Sequence, residues 1–127
     1  MLKAQKGFTL IELVVVIVLL GILGVTALAK FQDLSTEAQD AANAGVAAEL
    51  SSGSSINYAA GSLGTAGSVT TVGMTCAQAA ANLLAAGAPT GYNFPVGTPG
   101  VCGAAGTIMT CSVDDGGTAA DATILCI

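Results

Sequence analysis

The sequence predicts an α+β fold, in which one long N-terminal helix precedes a small antiparallel β-sheet. An apolar run extends from Phe8 to Ala29, and about 20 such residues are enough for a helix that crosses a bilayer. Apolar positions then recur at alternating intervals of four and three residues, which continues the helix to about Ser52. Segments of β-forming residues alternate with glycine-rich turns in the last third of the chain, which predicts the sheet.

The composition argues against several classes of function. With 127 residues, the chain has room for one domain. Its net charge is −5, and an acidic chain with three basic residues is unsuited to coating a phosphate backbone. Histidine, the commonest general base and metal ligand, does not occur in the sequence. We therefore expect a protein that is not an enzyme, uses no cofactor or metal and has no direct nucleic-acid site.

The apolar run has two ordinary interpretations. A secretory signal peptide would explain the basic residues Lys3 and Lys6 and the A-x-A pattern at 27–29, although its apolar core is usually shorter. A simple membrane anchor would explain the length of the run. Neither interpretation accounts for Glu12, because a carboxylate inside a hydrocarbon layer is costly and usually has a partner and a function.

The stretch from Lys6 to Leu13, KGFTLIEL, does account for Glu12, because it resembles the processing signal of type IV pilins. In that family a membrane-embedded prepilin peptidase cuts after the glycine and methylates the new amino group. The resemblance implies cleavage between Gly7 and Phe8 and N-methylation of Phe8. Residues 1–7 would be the cleaved leader, and a leader of this length followed by Phe is typical of the short-leader class, type IVa.

The same resemblance gives Phe8 and Glu12 a role in assembly. After cleavage, the cationic amine of Phe8 would lie one helical turn before the Glu12 carboxylate, on the same face. The resemblance implies that Glu12 pairs with the Phe8 amine of a neighbouring copy and so sets the register of a helical filament. The alternative is a pair within one chain. The implied partners are other copies of this chain, the prepilin peptidase, the inner-membrane assembly machinery and, before assembly, the membrane.

The resemblance also implies the type IV pilin fold and a division into three parts. After the leader, residues 8–29 would form the protruding transmembrane and assembly half of the helix. Residues 30–127 would form the head, which includes the second half of the helix. Because Lys3 and Lys6 precede the apolar run, the N-terminus of the inner-membrane precursor should be cytoplasmic and its head periplasmic. After assembly, the head would be extracellular in the pilus.

The second half of the helix is predicted to face the core through a stripe of mostly small residues. The stripe consists of Ala27, Phe31, Leu34, Ala38, Ala41, Gly45 and Ala48. Many pilins carry a glycine at the position of Gly21 and a proline at that of Ala29, and this segment tends to lose helicity in their filaments. The chain has the glycine and lacks the proline, which leaves the extent of such unwinding open.

The head is predicted to contain a connection, a short helix and three strands. Residues 51–75 are rich in Gly, Ser and Thr and should form a surface connection with one short strand near Ser68–Val72. Thr75 and Gln78 form a capping-box pattern that opens a helix over Cys76–Ala86. The strands are predicted at Tyr92–Val96, Thr107–Val113 and Ala122–Ile127, with the last two joined as a hairpin.

The four cysteines are predicted to form two disulfides. Only 4% of the residues are aromatic, so the core must be thin, and an even cysteine count in such a chain indicates disulfides and an oxidising compartment. A zinc site would need all four thiolates at irregular spacing. Three pairings are possible. Pilins often close a C-terminal loop with a disulfide, and this resemblance favours Cys111–Cys126 together with Cys76–Cys102.

The resemblance implies a structural subunit of a type IV pilus, which polymerises through its N-terminal helix for adhesion, biofilm formation or motility. The run at 110–113 with the final cysteine is also similar to mannose-sensitive haemagglutinin pilins. The alternative is a pseudopilin of a type II secretion system, a class that more often relies on calcium. Asp114, Asp115 and Asp121 could bind calcium, but a turn explains them better. An electron-carrying filament is a third hypothesis, disfavoured because the chain lacks the C-x-x-C-H motif for haem.

Overall fold

A computed structural model describes residues 7–127 of the chain. Most of the predicted leader, including Lys3 and Lys6, lies outside the described residues. The elements in chain order are α1 (Leu10–Ser62), α2 (Cys76–Leu83), β1 (Ile108–Val113) and β2 (Ala120–Leu125). A long apolar N-terminal helix with a small antiparallel sheet confirms the predicted α+β fold.

The chain divides into two compact units after Ser35, and the first unit holds the apolar half of α1. Every large apolar side chain in this half of α1 is exposed, from 39% at Val14 to 80% at Leu10. By length and composition, α1 contains one segment able to cross a membrane. The helix is continuous from Gly21 to Ala29. An apolar surface of this extent is typical of a membrane or protein interface.

The second unit begins at Thr36, and in it α1 is longer than predicted. The helix ends at Ser62 and not near Ser52. Residues 51–62 are rich in Ser and Gly and have low helix propensity, but tertiary packing keeps them helical. At Gly53, an added Cβ would lie 2.6 Å from the Leu83 carbonyl oxygen, so glycine allows α2 to approach closely.

The face of α1 that packs into the head is not the predicted stripe. The predicted residues are exposed at every position from Ala27 to Ala48. The buried residues have the same alternating spacing of four and three as the predicted stripe, but each lies two positions later in the sequence. Two positions correspond to about 200° around a helix, so the buried face is opposite the predicted one. They are Asn43, Ala47, Leu50, Ser54 and Asn57. The prediction was wrong because it followed apolar residues, whereas most of the residues that α1 buries here are polar.

These polar residues bind the backbone of the head. Asn57 exchanges two hydrogen bonds of 2.7 Å with Val69: its Nδ2 donates to the Val69 carbonyl, and its Oδ1 accepts from the Val69 N–H. Asn43 Nδ2 donates to the Thr118 carbonyl at 3.0 Å, and the Thr118 hydroxyl donates to the Asp40 carboxylate at 3.1 Å. Side-chain hydrogen bonds therefore dock the connection after α1 and the hairpin loop against this helix.

The predicted hairpin is confirmed. β1 and β2 are antiparallel, with Ile108 opposite Leu125 and Val113 opposite Ala120. Alternate residues of both strands are fully buried and form one core with Leu50 of α1 and the buried alanines of α2. These strand residues are Met109, Cys111, Val113, Ala122 and Ile124.

Two other predicted strands are not formed among the described residues. The backbone at Ser68–Val72 makes separate hydrogen bonds and no strand ladder. For example, the Thr71 N–H donates to the Ile127 carbonyl at 2.8 Å. The segment Tyr92–Val96 makes only an isolated bridge, from Asn93 to Asp114 just after β1, and a second bridge joins Thr98 to Thr110 of β1. Pro95 has no N–H to donate, which prevents a continuous ladder here.

The capping box at the start of α2 is confirmed. Thr75 Oγ1 accepts from the Gln78 N–H at 3.4 Å, and Gln78 Oε1 accepts from the Thr75 N–H at 3.0 Å. The helix ends at Leu83 and not at Ala86, because Leu84 takes an extended conformation (φ −78°, ψ 136°) and its side chain is buried in the core.

Two disulfides form, but the favoured pairing is wrong. Cys76 is joined to Cys111 and Cys102 to Cys126, each with a Cα–Cα distance of 5.6 Å. The hairpin register explains why Cys111 and Cys126 do not pair. Ala122 lies opposite Cys111, so Cys126 is four residues further along, which is roughly 13 Å at the spacing of a strand. A disulfide needs Cα atoms within about 7 Å.

Serine hydroxyls of α1 close the outer edge of β2. Ser51 Oγ accepts from the Thr123 N–H at 2.9 Å, and Ser54 Oγ accepts from the Leu125 N–H at 2.6 Å. The described sheet has two strands, so this edge of β2 has no strand beside it. The two hydroxyls accept the hydrogen bonds that a third strand would otherwise accept.

Replacing Ser54 with Ala should lower the free energy of unfolding by about 1–3 kcal/mol, because the Leu125 N–H would lose its buried acceptor. Ser55→Ala is the matched control, since Ser55 is exposed and its hydroxyl bonds within α1. That control should change stability by less than about 0.5 kcal/mol. Denaturant unfolding of the full-length chain in detergent measures both variants, and equal stabilities would contradict the role of Ser54.

Candidate processing and assembly site

The predicted processing site lies immediately before α1. Gly7, Phe8 and Thr9 are not helical, and the helix begins at Leu10. The Phe8 side chain is almost fully exposed. A Cβ added at Gly7 would meet no atom within 4 Å, so packing within the described chain does not require glycine there. The peptide bond between Gly7 and Phe8 is therefore accessible.

Thr9 caps α1 through a reciprocal pair with Glu12. Glu12 Oε2 accepts from the Thr9 N–H at 2.9 Å and from the Thr9 hydroxyl at 2.7 Å. The Glu12 N–H donates to Thr9 Oγ1 at 3.4 Å. This capping box satisfies N–H groups that the start of a helix leaves unpaired. A carboxylate in the first turn also complements the helix dipole.

The sequence prediction for this site missed Thr9. The T-x-x-E pattern at 9–12 carries the same signal that predicts the cap formed by Thr75 and Gln78. The prediction for Glu12 rests on its charge and considers only an amine as its partner. The structure adds a local partner on the same chain.

The structure places the three predicted residues Gly7, Phe8 and Glu12 at one end of α1. Because Gly7 precedes Phe8, the Phe8 nitrogen is a peptide amide in this chain, and a charged amine would arise only on cleavage. The Thr9 N–H and the Thr9 hydroxyl both donate to Glu12 Oε2, and Oε1 has no hydrogen-bond partner within the described residues. Within residues 7–127, one carboxylate oxygen caps the helix while the other accepts no hydrogen bond and is open to a second donor.

Asp114, which follows β1, has a structural role in the hairpin loop. Asp114 Oδ1 accepts from the Gly116 N–H at 2.7 Å, which is typical of a turn. In residues 7–127, no three acidic or cysteine side chains converge as they would around a metal ion. The bond from Gly116 to Asp114 is the contact that the turn interpretation of the loop predicts.

Comparison with known proteins identifies the same N-terminal segment. The family described as the prokaryotic N-terminal methylation motif matches residues 2–28. Over 38 residues, the chain is 50% identical to a fimbrial protein of Pseudomonas aeruginosa. Over matches of the same length, it is 55% identical to a fimbrial protein of Moraxella nonliquefaciens and 53% identical to fimbrial protein Q of Moraxella bovis.

The similarity to these relatives covers part of the chain. Each match covers 30% of this chain, and the chain spans about a quarter of the length of these relatives. No solved structure gives a significant match. The methylation motif, the apolar helix and the fimbrial relatives agree with one another, and the chain carries the prokaryotic N-terminal methylation motif and is similar over 38 residues to fimbrial proteins.

Proposed function

We propose that this protein is the structural subunit of a type IV pilus and polymerises through the apolar half of α1. One observation carries the proposal. Glu12 is the single charged residue between Phe8 and Ala29, and it lies in the first turn of a helix whose apolar side chains are exposed. A lone carboxylate at the end of such a surface is suited to pairing with a cation on a neighbouring subunit.

Processing would supply that cation. A prepilin peptidase would cut the leader at residues 1–7 from Phe8 and methylate the new amine. The Phe8 ammonium of one subunit could then donate to Glu12 Oε1 of another, while Oε2 keeps its bonds to Thr9. The pair forms at one axial offset only, so it sets register, and the exposed aliphatic side chains supply packing.

The precursor would be held in the inner membrane by residues 8–29 before assembly. Its N-terminus would face the cytoplasm and its head, residues 30–127, the periplasm. The inner-membrane assembly machinery would then transfer the subunit into a short-leader, type IVa filament. Two buried disulfides suit a head that is exposed outside the cell in such a filament, and the filament would serve adhesion, biofilm formation or motility.

Gly7→Val tests the processing step. We expect the variant to remain as full-length precursor in the membrane and to form no filaments, because a β-branched side chain would occupy the position next to the scissile bond. Immunoblots of membrane and sheared-surface fractions, together with N-terminal sequencing of the wild type, measure the outcome.

The matched control is Gly45→Val, which adds the same side chain at another glycine whose Cβ would meet open space. It should be cleaved normally. Mature-length subunits in the Gly7→Val strain would contradict the proposal. A strain that lacks the gene gives a further test. If that strain has normal surface filaments but a secretion defect, the type II secretion alternative is supported.

A further inference from the structure

One hydrogen-bonded motif joins the start of α1 to the proposed cleavage site. Thr9 and Glu12 form the capping box, and the helix begins at the next residue, Leu10. An N-cap residue is non-helical while its side chain bonds to the first turn. The scissile bond between Gly7 and Phe8 therefore lies directly outside the helix, and its position depends on where the cap forms.

The helix propensities of the residues before Phe8 favour a helix that begins earlier in the chain. Ala4, Gln5 and Lys6 are all strong helix formers, and Gly7 is the one weak position before Phe8. Helix propagation is cooperative, so one glycine does not by itself fix the boundary. The capping box supplies the missing stop signal at Thr9.

The scissile carbonyl is consequently free of the helix. The Thr9 carbonyl accepts from the Leu13 N–H at 3.3 Å. Among the described residues, neither the Gly7 nor the Phe8 carbonyl accepts a backbone hydrogen bond. If the helix began earlier, the Gly7 carbonyl would accept from the N–H four residues on and would be covered by the next turn. A hydrolytic enzyme needs this carbonyl exposed in order to polarise it.

We propose that Thr9 is a positioning residue for leader cleavage. Through its capping box with Glu12, it fixes the start of α1 and keeps the Gly7–Phe8 peptide bond non-helical. In the reaction, water adds to the Gly7 carbonyl carbon and the C–N bond breaks. The products are a Gly7 carboxylate and a Phe8 ammonium. This inference rests on the proposed processing of the chain, and it assigns Thr9 a role separate from assembly.

The test measures cleavage kinetics of full-length precursor in detergent with purified prepilin peptidase. Thr9→Val preserves the shape of the side chain and removes both its hydrogen-bonding functions, whereas Thr9→Ser retains the hydroxyl. We expect Thr9→Val to raise KM about five- to tenfold with little change in kcat, because a smaller fraction of the substrate is in the competent conformation. Thr9→Ser should restore a KM close to that of the wild type.

A second measurement reports the conformation directly. Carbon-13 shifts of Gly7 and Phe8 should move toward helical values in Thr9→Val and stay at wild-type values in Thr9→Ser. Wild-type kinetics for Thr9→Val, or an equal loss in both variants, would overturn the role of Thr9. Failure of the wild-type chain to be cut after Gly7 would instead overturn the proposed processing itself.

Discussion

Glu12→Gln should abolish filament formation while leaving leader cleavage intact. Glutamine at this position can still accept from the Thr9 N–H and hydroxyl, because a capping box accepts either Glu or Gln. It carries no charge, however, and cannot neutralise the ammonium of a neighbouring subunit. Each subunit added to a filament would then bury an unpaired cation among aliphatic side chains, a cost that recurs at every addition.

Electron microscopy of cells and immunoblots of the sheared fraction measure this outcome. The expected result is mature-length subunits in the membrane and no filaments. Glu37→Gln is the matched control, since it makes the same change at another exposed acidic residue of α1 and should leave filaments intact. Normal filaments in Glu12→Gln would show that the charge of Glu12 does not set register.

Removing either disulfide should leave the head close to unfolding. Cys76–Cys111 and Cys102–Cys126 span 35 and 24 residues, for which the chain-entropy relation gives about 4 and about 3.5 kcal/mol. A small domain has roughly 5–15 kcal/mol of total stability. The double variants Cys76→Ser/Cys111→Ser and Cys102→Ser/Cys126→Ser should therefore unfold at much lower denaturant concentrations than the wild type.

Thiol titration of the unfolded, unreduced variants tests the pairing itself. Cys76→Ser/Cys111→Ser should show no free thiol, because Cys102 and Cys126 remain joined. Cys111→Ser/Cys126→Ser should show two, because this change breaks both disulfides. The reverse pattern would support the pairing that the resemblance to pilins favours.

Features set by neighbouring residues could be predicted from the sequence. The apolar run gives the first half of α1, the T-x-x-Q pattern gives the cap at Thr75, and Asp and Gly residues give the turn between β1 and β2. Each depends on interactions within a few positions. These features can therefore be predicted without knowing which distant segments are in contact.

Features set by distant contacts could not be predicted in this way. The inward face of α1 includes Asn43 and Asn57, whose amides bond to backbone groups that lie 75 and 12 residues further along the chain. Periodicity of apolar residues cannot detect such a polar face, and it selected the opposite one. The cysteine pairing likewise depends on the register that places Ala122 opposite Cys111.

The candidate site was predictable in part for a different reason. Gly7, Phe8 and Glu12 follow from the resemblance of a short motif, and their roles in processing and assembly remain predictions. Thr9 belongs to the same motif and was missed, although its capping pattern is local. Glu12 thus has two distinct chemical functions available, one for each carboxylate oxygen, and charge alone accounts for one of them.

The closed edge of β2 has a consequence for crowded arrays of this chain. A filament would hold many copies of the sheet side by side, and a strand with free N–H groups can recruit strands from other copies into continuous β-aggregates. Because Ser51 and Ser54 already accept from Thr123 and Leu125, these two N–H groups cannot bond to an incoming strand. In a filament, a strand of a neighbouring head could therefore not add to β2 at these two positions.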